Sequence, residues 1–187
     1  SHLRLHIYPD GGIARLRVYG TPEVNWNGLT GEAELSAAQL GGRVLAVSDA
    51  HYGWPHALLY PGRGLNMGDG WETRRRREPG FDWCVIALGH PGRVTRLEVD
   101  TAFFKGNFPA SVSVQAGRLP AGADAAQARA ASLFWDTLLS EQPLGPDAVH
   151  TFQAPLANLD SVTHVRLNMH PDGGISRFRV FGEARNP

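Results

Sequence analysis

Polar and apolar residues trade places along the chain on both sides of Pro171-Asp172-Gly173-Gly174, with Val165, Leu167 and Met169 before it and Ile175, Phe178, Val180 and Gly182 after it. A period near two is the signature of strands with one buried face. Proline presets φ and Asp-Gly supplies positive-φ positions, so the two runs are predicted to form a hairpin, with Asp172 serving its turn. Further strands are predicted at residues 43–48, 82–88, 94–101 and 111–116, with Gly89-His90-Pro91-Gly92 as a turn between the second and third. The sum is an all-β antiparallel sandwich. A helix is expected over residues 123–141, which are rich in alanine and carry Leu133, Trp135, Leu138 and Leu139 ahead of Pro143, with Trp135 as a packing anchor. A single helical turn capped by Ser36 is expected at residues 36–39.

The closing segment occurs twice. Residues 2–20 and 164–182 are identical at 12 of 19 positions, both centred on Pro-Asp-Gly-Gly and offset by 162 residues. That offset exceeds the repeat length of solenoids and propellers, so the duplicated unit is a whole domain. Residues 1–20 are accordingly expected to be the closing hairpin of a first repeat lying mostly upstream, and residues 21–187 a complete second repeat.

Composition narrows the function. Of 187 residues, 42% are hydrophobic, and 18 basic side chains balance 18 acidic ones, all but Lys105 of the basic group being arginine. A neutral chain of this kind argues against nucleic-acid binding. No run approaches the roughly 20 apolar residues that span a bilayer, so no membrane association is expected and a cytoplasmic location is. The lone cysteine, Cys84, lies in the apolar run Trp83-Cys84-Val85-Ile86 and reads as a small core residue. Phosphate-loop, dinucleotide and Gly-x-Ser-x-Gly signatures do not occur.

The dense polar stretch is Asn66-Met-Gly-Asp-Gly-Trp-Glu-Thr-Arg-Arg-Arg-Arg77. A carboxylate beside guanidinium groups suits recognition of a planar anion. In extended backbone Glu72, Arg74 and Arg76 share one face and Thr73, Arg75 and Arg77 the other. The plainer alternative is a solvated charge run with weak surface ion pairs. Asp49 and His51 follow a predicted strand with a spacing that is a weak metal signal, and no metal is assigned. His56 is a further candidate, and His90 reads as a turn residue. Asp100, Lys105 and Asn107 lie in a polar stretch where Lys105 supplies a flexible cation.

Val47-Ser-Asp-Ala-His-Tyr-Gly, the Asn66–Arg77 stretch, Gly80-Phe-Asp-Trp and Val99-Asp-Thr-Ala-Phe-Phe-Lys-Gly-Asn-Phe-Pro, together with the Pro-Asp-Gly-Gly closure, resemble allantoicase (allantoate amidinohydrolase) over nearly the whole chain. The resemblance implies a protein of two galactose-binding-like jelly-roll repeats that hydrolyses allantoate to ureidoglycolate and urea in purine degradation, without an assigned cofactor. Its partners would be allantoate, the first repeat of the same protein and a further copy in a homo-oligomer. Allantoate is a carboxylate bearing two ureido groups, so its cleavage calls for an anion clamp and a proton donor to the leaving nitrogen. Glu72 is expected to be catalytic, Arg74 and Arg76 to hold the carboxylate, and Asp100, Lys105 and Asn107 to make further substrate contacts. Two alternatives remain: a non-catalytic sugar-binding module using Trp26, Trp54 or Trp71, and a structural repeat that supports a catalytic partner.

Overall fold

The computed structural model describes residues 3–185; positions 1, 2, 186 and 187 lie outside the described residues, including His2, where the first copy of the repeat begins. In chain order the elements are β1 (Glu32–Glu34), β2 (Arg43–Val47), β3 (Tyr52–Gly53), β4 (Trp71–Glu72), β5 (Asp82–Asp100), β6 (Ser111–Gly117), helix α1 (Ala125–Ala131), β7 (Asp136–Pro143), β8 (Val149–Phe152), β9 (Val162–His170), β10 (Gly174–Ile175) and β11 (Arg177–Ala184).

Strand β5 organises the jelly-roll sandwich. Its first half pairs with β2 on one edge and β9 on the other, and its second half with β8 and β11. One layer therefore reads β2-β5-β9-β6-β7 and the other β8-β5-β11-β1. The expected turn at Gly89–Gly92 is a bend within one 19-residue strand. A Cβ on Gly89 would lie 2.0 Å from the Leu40 carbonyl oxygen, and one on Gly92 would lie 2.7 Å from that of Glu183. Neighbouring backbone thus packs directly onto the corner, where the Gly89 N–H bonds the Leu35 carbonyl and the Arg185 N–H bonds that of Pro91, so the chain turns between layers without reversing.

The same division corrects the predicted hairpin. Strands β9 and β11 pair with opposite halves of β5 and share no ladder with each other, so Pro171–Gly174 crosses between layers. The inward pattern holds: Val165, Leu167, Met169, Ile175, Phe178 and Val180 join one buried cluster with Ile86, Leu97, Val99 and Val114.

Residues 3–20 form no strand, and Leu3, Leu5, Ile13, Leu16 and Val18 are exposed. Gly11, at φ +145°, keeps the backbone conformation of its counterpart Gly173, at φ +139°. What the first copy lacks among the described residues is flanking strands like those that β5 and β6 give β9, and two strands without a third are marginal in water.

The helical expectation was half met. Asp124 caps α1 reciprocally with Gln127, each side chain accepting the other's backbone N–H, at 2.8 and 3.0 Å. Beyond residue 134 the chain enters β7 and pairs with β6, a tertiary ladder overriding alanine-rich propensity. Leu138 and Leu139 are buried from that strand, Leu133 and Phe134 are exposed, and Trp135 packs over Gly117. The turn expected at residues 36–39 is a 3-10 turn at Ala38–Leu40, and the Ser36 hydroxyl accepts the Val180 N–H at 2.9 Å in place of capping it.

Gly89→Ala should destabilise the chain by about 1–3 kcal/mol, because the new methyl meets backbone that cannot step aside. Gly106→Ala, where a Cβ meets nothing within 4 Å, should stay within about 0.5 kcal/mol. Urea denaturation of the two variants checks this, and equal midpoints would show that the corner yields.

Candidate functional site

Trp71, fully buried and donating its indole N–H to the Asp49 carbonyl at 2.8 Å, anchors β4 between β3 and β10 at one end of the sandwich. Glu72 follows at the rim. Its carboxylate accepts from the Asn107 amide at 2.6 Å, and the same amide nitrogen lies 3.4 Å from the Met67 sulfur. Glu72 and Asn107 are thus brought together.

From Thr73 onward the chain leaves the ladder. The Thr73 N–H bonds the Gly173 carbonyl at 3.0 Å, the Arg74 N–H bonds Asp49 Oδ2 at 2.8 Å, and the Arg76 N–H bonds Asp172 Oδ2 at 2.8 Å. Carboxylates replace a neighbouring strand as acceptors. All four arginines, 74 to 77, line one open cleft of about 490 Å³ with Ser48, Asp49, Glu78 and Asp82. The expected separation into two faces is therefore corrected, and Glu72 is not in the cleft wall.

Two of those arginines are pinned. Arg74 donates to Asp49 at 3.1 Å, and Arg76 to the buried Asp82 at 2.6 Å, where the Ser48 hydroxyl also bonds Asp82 at 2.9 Å. Arg75 and Arg77 pair with no carboxylate among the described residues. Partial burial works against the Asp49 charge, but the bonds and charge of Arg74 outweigh it and hold the carboxyl below its ordinary value. His51 stacks edge-on against Tyr52, and the described residues gather no three metal-ligating side chains.

Asp100 and Lys105 fall elsewhere. The Asp100 carboxylate accepts the Ala102 N–H at 2.8 Å and lines a separate cavity of about 280 Å³ with Arg63, Glu98, Asp147, Arg177 and Arg179. Lys105 reaches only Asp147, at 3.9 Å, and is largely exposed. His56 stacks on Trp54, and His90 packs at a tilt against Trp26, both away from the cleft.

Sequence reasoning missed Arg177. Only 3% exposed, it donates to the Asp69 carbonyl at 2.6 Å, to Asp69 Oδ2 at 2.9 Å and to the Gly62 carbonyl at 3.2 Å, locking the loop that leads to Glu72. Burial opposes the Asp69 charge, and the bonds from Arg177 and the Leu65 N–H overcome it, keeping its carboxyl below the ordinary value. The available signal was Arg15, which occupies the same place in the first copy. Cys84 is buried, and burial pushes its thiol far above its usual range, leaving it inert.

A bent-strand jelly roll with loops gathered at one end defines a galactose-binding-like β-sandwich, and a family 32 carbohydrate-binding module from Streptococcus pneumoniae EndoD shares that fold, with a TM-score of 0.54 at 15% identity over 79% of this chain and 98% of that one. The fold is all that this likeness shows. The crystal structure of allantoicase from Saccharomyces cerevisiae superimposes with a TM-score of 0.69 at 37% identity, covering 81% of this chain and 43% of that one. A probable allantoicase of Ralstonia nicotianae is 58% identical over 184 residues, 97% of this chain and 54% of the relative. The family profile for the allantoicase repeat matches residues 1–23 and 33–185, and the chain belongs to the allantoicase family. It spans about half the length of the curated relatives it matches.

Because the Asp49 carboxyl is depressed in the folded state, the stability it contributes is fully present above its unfolded value near pH 4 and is lost as pH falls through the lower folded value. Thermal melts of the natural chain and of Asp49→Asn should therefore differ at pH 7 and converge below about pH 4. A gap that persists under acid would show that Asp49 acts through shape alone.

Proposed function

We propose that this chain is the second repeat of a two-repeat allantoicase, preceded by the closing segment of the first, and that the whole protein releases urea from allantoate. Identity above 50% to named allantoicases over nearly all of the chain carries the reading, and the arginine cleft supports it. An open site walled by four guanidinium groups suits the carboxylate of a small acid better than a neutral sugar.

In this reading Arg74 and Arg76, held by Asp49 and Asp82, present fixed donors to the substrate carboxylate, while Arg75 and Arg77 add unpaired charge. Glu72, oriented by Asn107, is the proton-transfer group to the leaving ureido nitrogen. Asp100 and Lys105 stand outside the clamp. The first repeat is the natural partner, with homo-oligomerisation beyond it. A cytoplasmic site fits a chain whose cysteine is unpaired and in which no helix of the described residues is long and apolar enough to cross a membrane.

Urea release from allantoate by the full two-repeat protein is the test. Glu72→Gln should remove most activity with the melting temperature unchanged, since the amide keeps the shape and loses the transferable proton. Wild-type rates would take Glu72 out of the mechanism, and a collapsed fold would make it a structural partner of Asn107. Arg74→Lys should raise the Michaelis constant roughly ten- to a hundredfold, the equivalent of one charge-assisted hydrogen bond of about 1.5–3 kcal/mol. Since all four arginines share one cleft, Arg75→Lys should also weaken binding, and a silent Arg75→Lys would return the site to one pair.

A further inference from the structure

At the opposite end of the β9 layer from the arginine cleft, a third cavity, of about 480 Å³, opens between the sheet and the 118–123 loop. Ala87 in its wall lies five residues along β5 from Asp82 in the arginine cleft, roughly 17 Å by strand rise, and the two share no lining residue. The wall is built in register: Arg43 on β2 faces Ala87 on β5, which faces His164 on β9. Small Ala87 leaves room between the Arg43 and His164 side chains. Leu88, Leu119 and Pro120 add an apolar wall, and Arg118 stands at the rim.

Three features of this cavity lack their complement. Arg43 and Arg118 pair with no carboxylate among the described residues, unlike Arg74 and Arg76 in the cleft. His164 is more than nine-tenths buried, and its Nε2 has no hydrogen-bond partner. The Thr163 hydroxyl accepts the Leu119 N–H at 2.9 Å and lies 2.7 Å from His164 Nδ1, so Nδ1 is bonded in either tautomer and Nε2 is the ring nitrogen left over. A buried ring nitrogen without a partner, beside two guanidinium groups without an anion, marks a wall that is short of an acid.

We propose that this cavity is a second ligand site, independent of the arginine cleft, which takes a small monocarboxylate with a short apolar body. The carboxylate lies between Arg43 and Arg118, and the body lies against Leu119 and Pro120. Burial, helped by the Arg43 charge, depresses His164 to about 4, so the ring is neutral near pH 7 and reports on the site. An anion placed against Arg43 offsets that repulsion and raises the His164 titration midpoint.

The probes are benzoate, its neutral isostere benzamide, and inorganic phosphate, titrated into the chain by calorimetry and by NMR of the His164 ring. Benzoate should bind saturably with a raised His164 midpoint, and benzamide and phosphate should each bind at least about tenfold more weakly, lacking the charge or the apolar body. Arg43→Met and Arg118→Met, both at exposed positions, should each weaken the benzoate response of the His164 ring about tenfold, and Arg74→Met should leave that His164 response in place. Equal binding of benzamide, or of phosphate, would overturn the ligand class. Loss of benzoate in Arg74→Met with Arg43→Met unaffected would move the binding to the arginine cleft, and no saturation at all would remove the site. Neither outcome depends on urea release, so this inference and the catalytic one fail separately.

Discussion

The link from Pro171 to Gly174 is where the two layers, the arginine cleft and the Glu72 rim are joined, and it can do so only because it has no side chains in its second half. A Cβ on Gly174 would lie 2.0 Å from the Phe104 ring, and one on Gly173 would meet Asn107 and Pro109 backbone within 3 Å. That closeness lets the Gly174 N–H bond the Asn107 carbonyl at 2.8 Å, fixing the residue that in turn holds Glu72. On its other side the Gly173 carbonyl takes the Thr73 N–H, and the Asp172 carboxylate takes the Arg76 N–H. One crossing segment thus supplies acceptors to the arginine run and a donor to the loop that carries Asn107. Gly173 at φ +139° is in the region that glycine tolerates and other residues resist.

From this follows the shape of the cleft. A segment of four consecutive arginines repels itself, and in a regular strand it would divide its charges between two faces. Here Asp49 and Asp172 take the peptide N–H groups of Arg74 and Arg76 that a neighbouring strand would otherwise take. The run stays out of the ladder, and all four arginines line one opening. Asp49 bonds both the backbone and the guanidinium of Arg74, while Asp82 holds the Arg76 guanidinium. Carboxylates therefore set both the conformation of the run and the fixed half of its charge.

Much of the fold was legible because period two survives any arrangement of strands. Val165, Leu167 and Met169 are buried whether β9 pairs with β11 or with β5, so the alternation fixed the inward faces and left the partners open. What escaped was set by contacts far apart in sequence. Gly89–Gly92 looked like a reversal, and only the Leu40 and Glu183 backbone packed against it make it a bend. Leu138 and Leu139 suited a helix until β6 offered a ladder. At the site, Glu72 and Asn107 were singled out from two separate motifs, whereas the sharing of one cleft by Arg74 to Arg77 ran against the alternation that divided them. Asp49 and Asp82, the partners that decide which guanidinium groups are pinned, come from separate segments, and nothing local marks Arg177 as buried.

The even balance of acids and bases hides a division that matters more than the total. Arg74, Arg76 and Arg177 have carboxylate partners, and such pairs spend their charge locally. Arg75 and Arg77 in one cavity, and Arg43 and Arg118 in the other, have none among the described residues. An exposed guanidinium loses little by staying solvated, but several in one concave wall raise the local potential, and an arriving anion lowers it. A chain with no net charge can in this way hold two positively charged cavities at opposite ends of one sheet. In the arginine cleft, paired carboxylates lock half of the guanidinium groups in place before any ligand arrives, which reduces the ordering cost of binding. In the His164 cavity the strands do the same work through register, placing Arg43 and His164 on either side of Ala87.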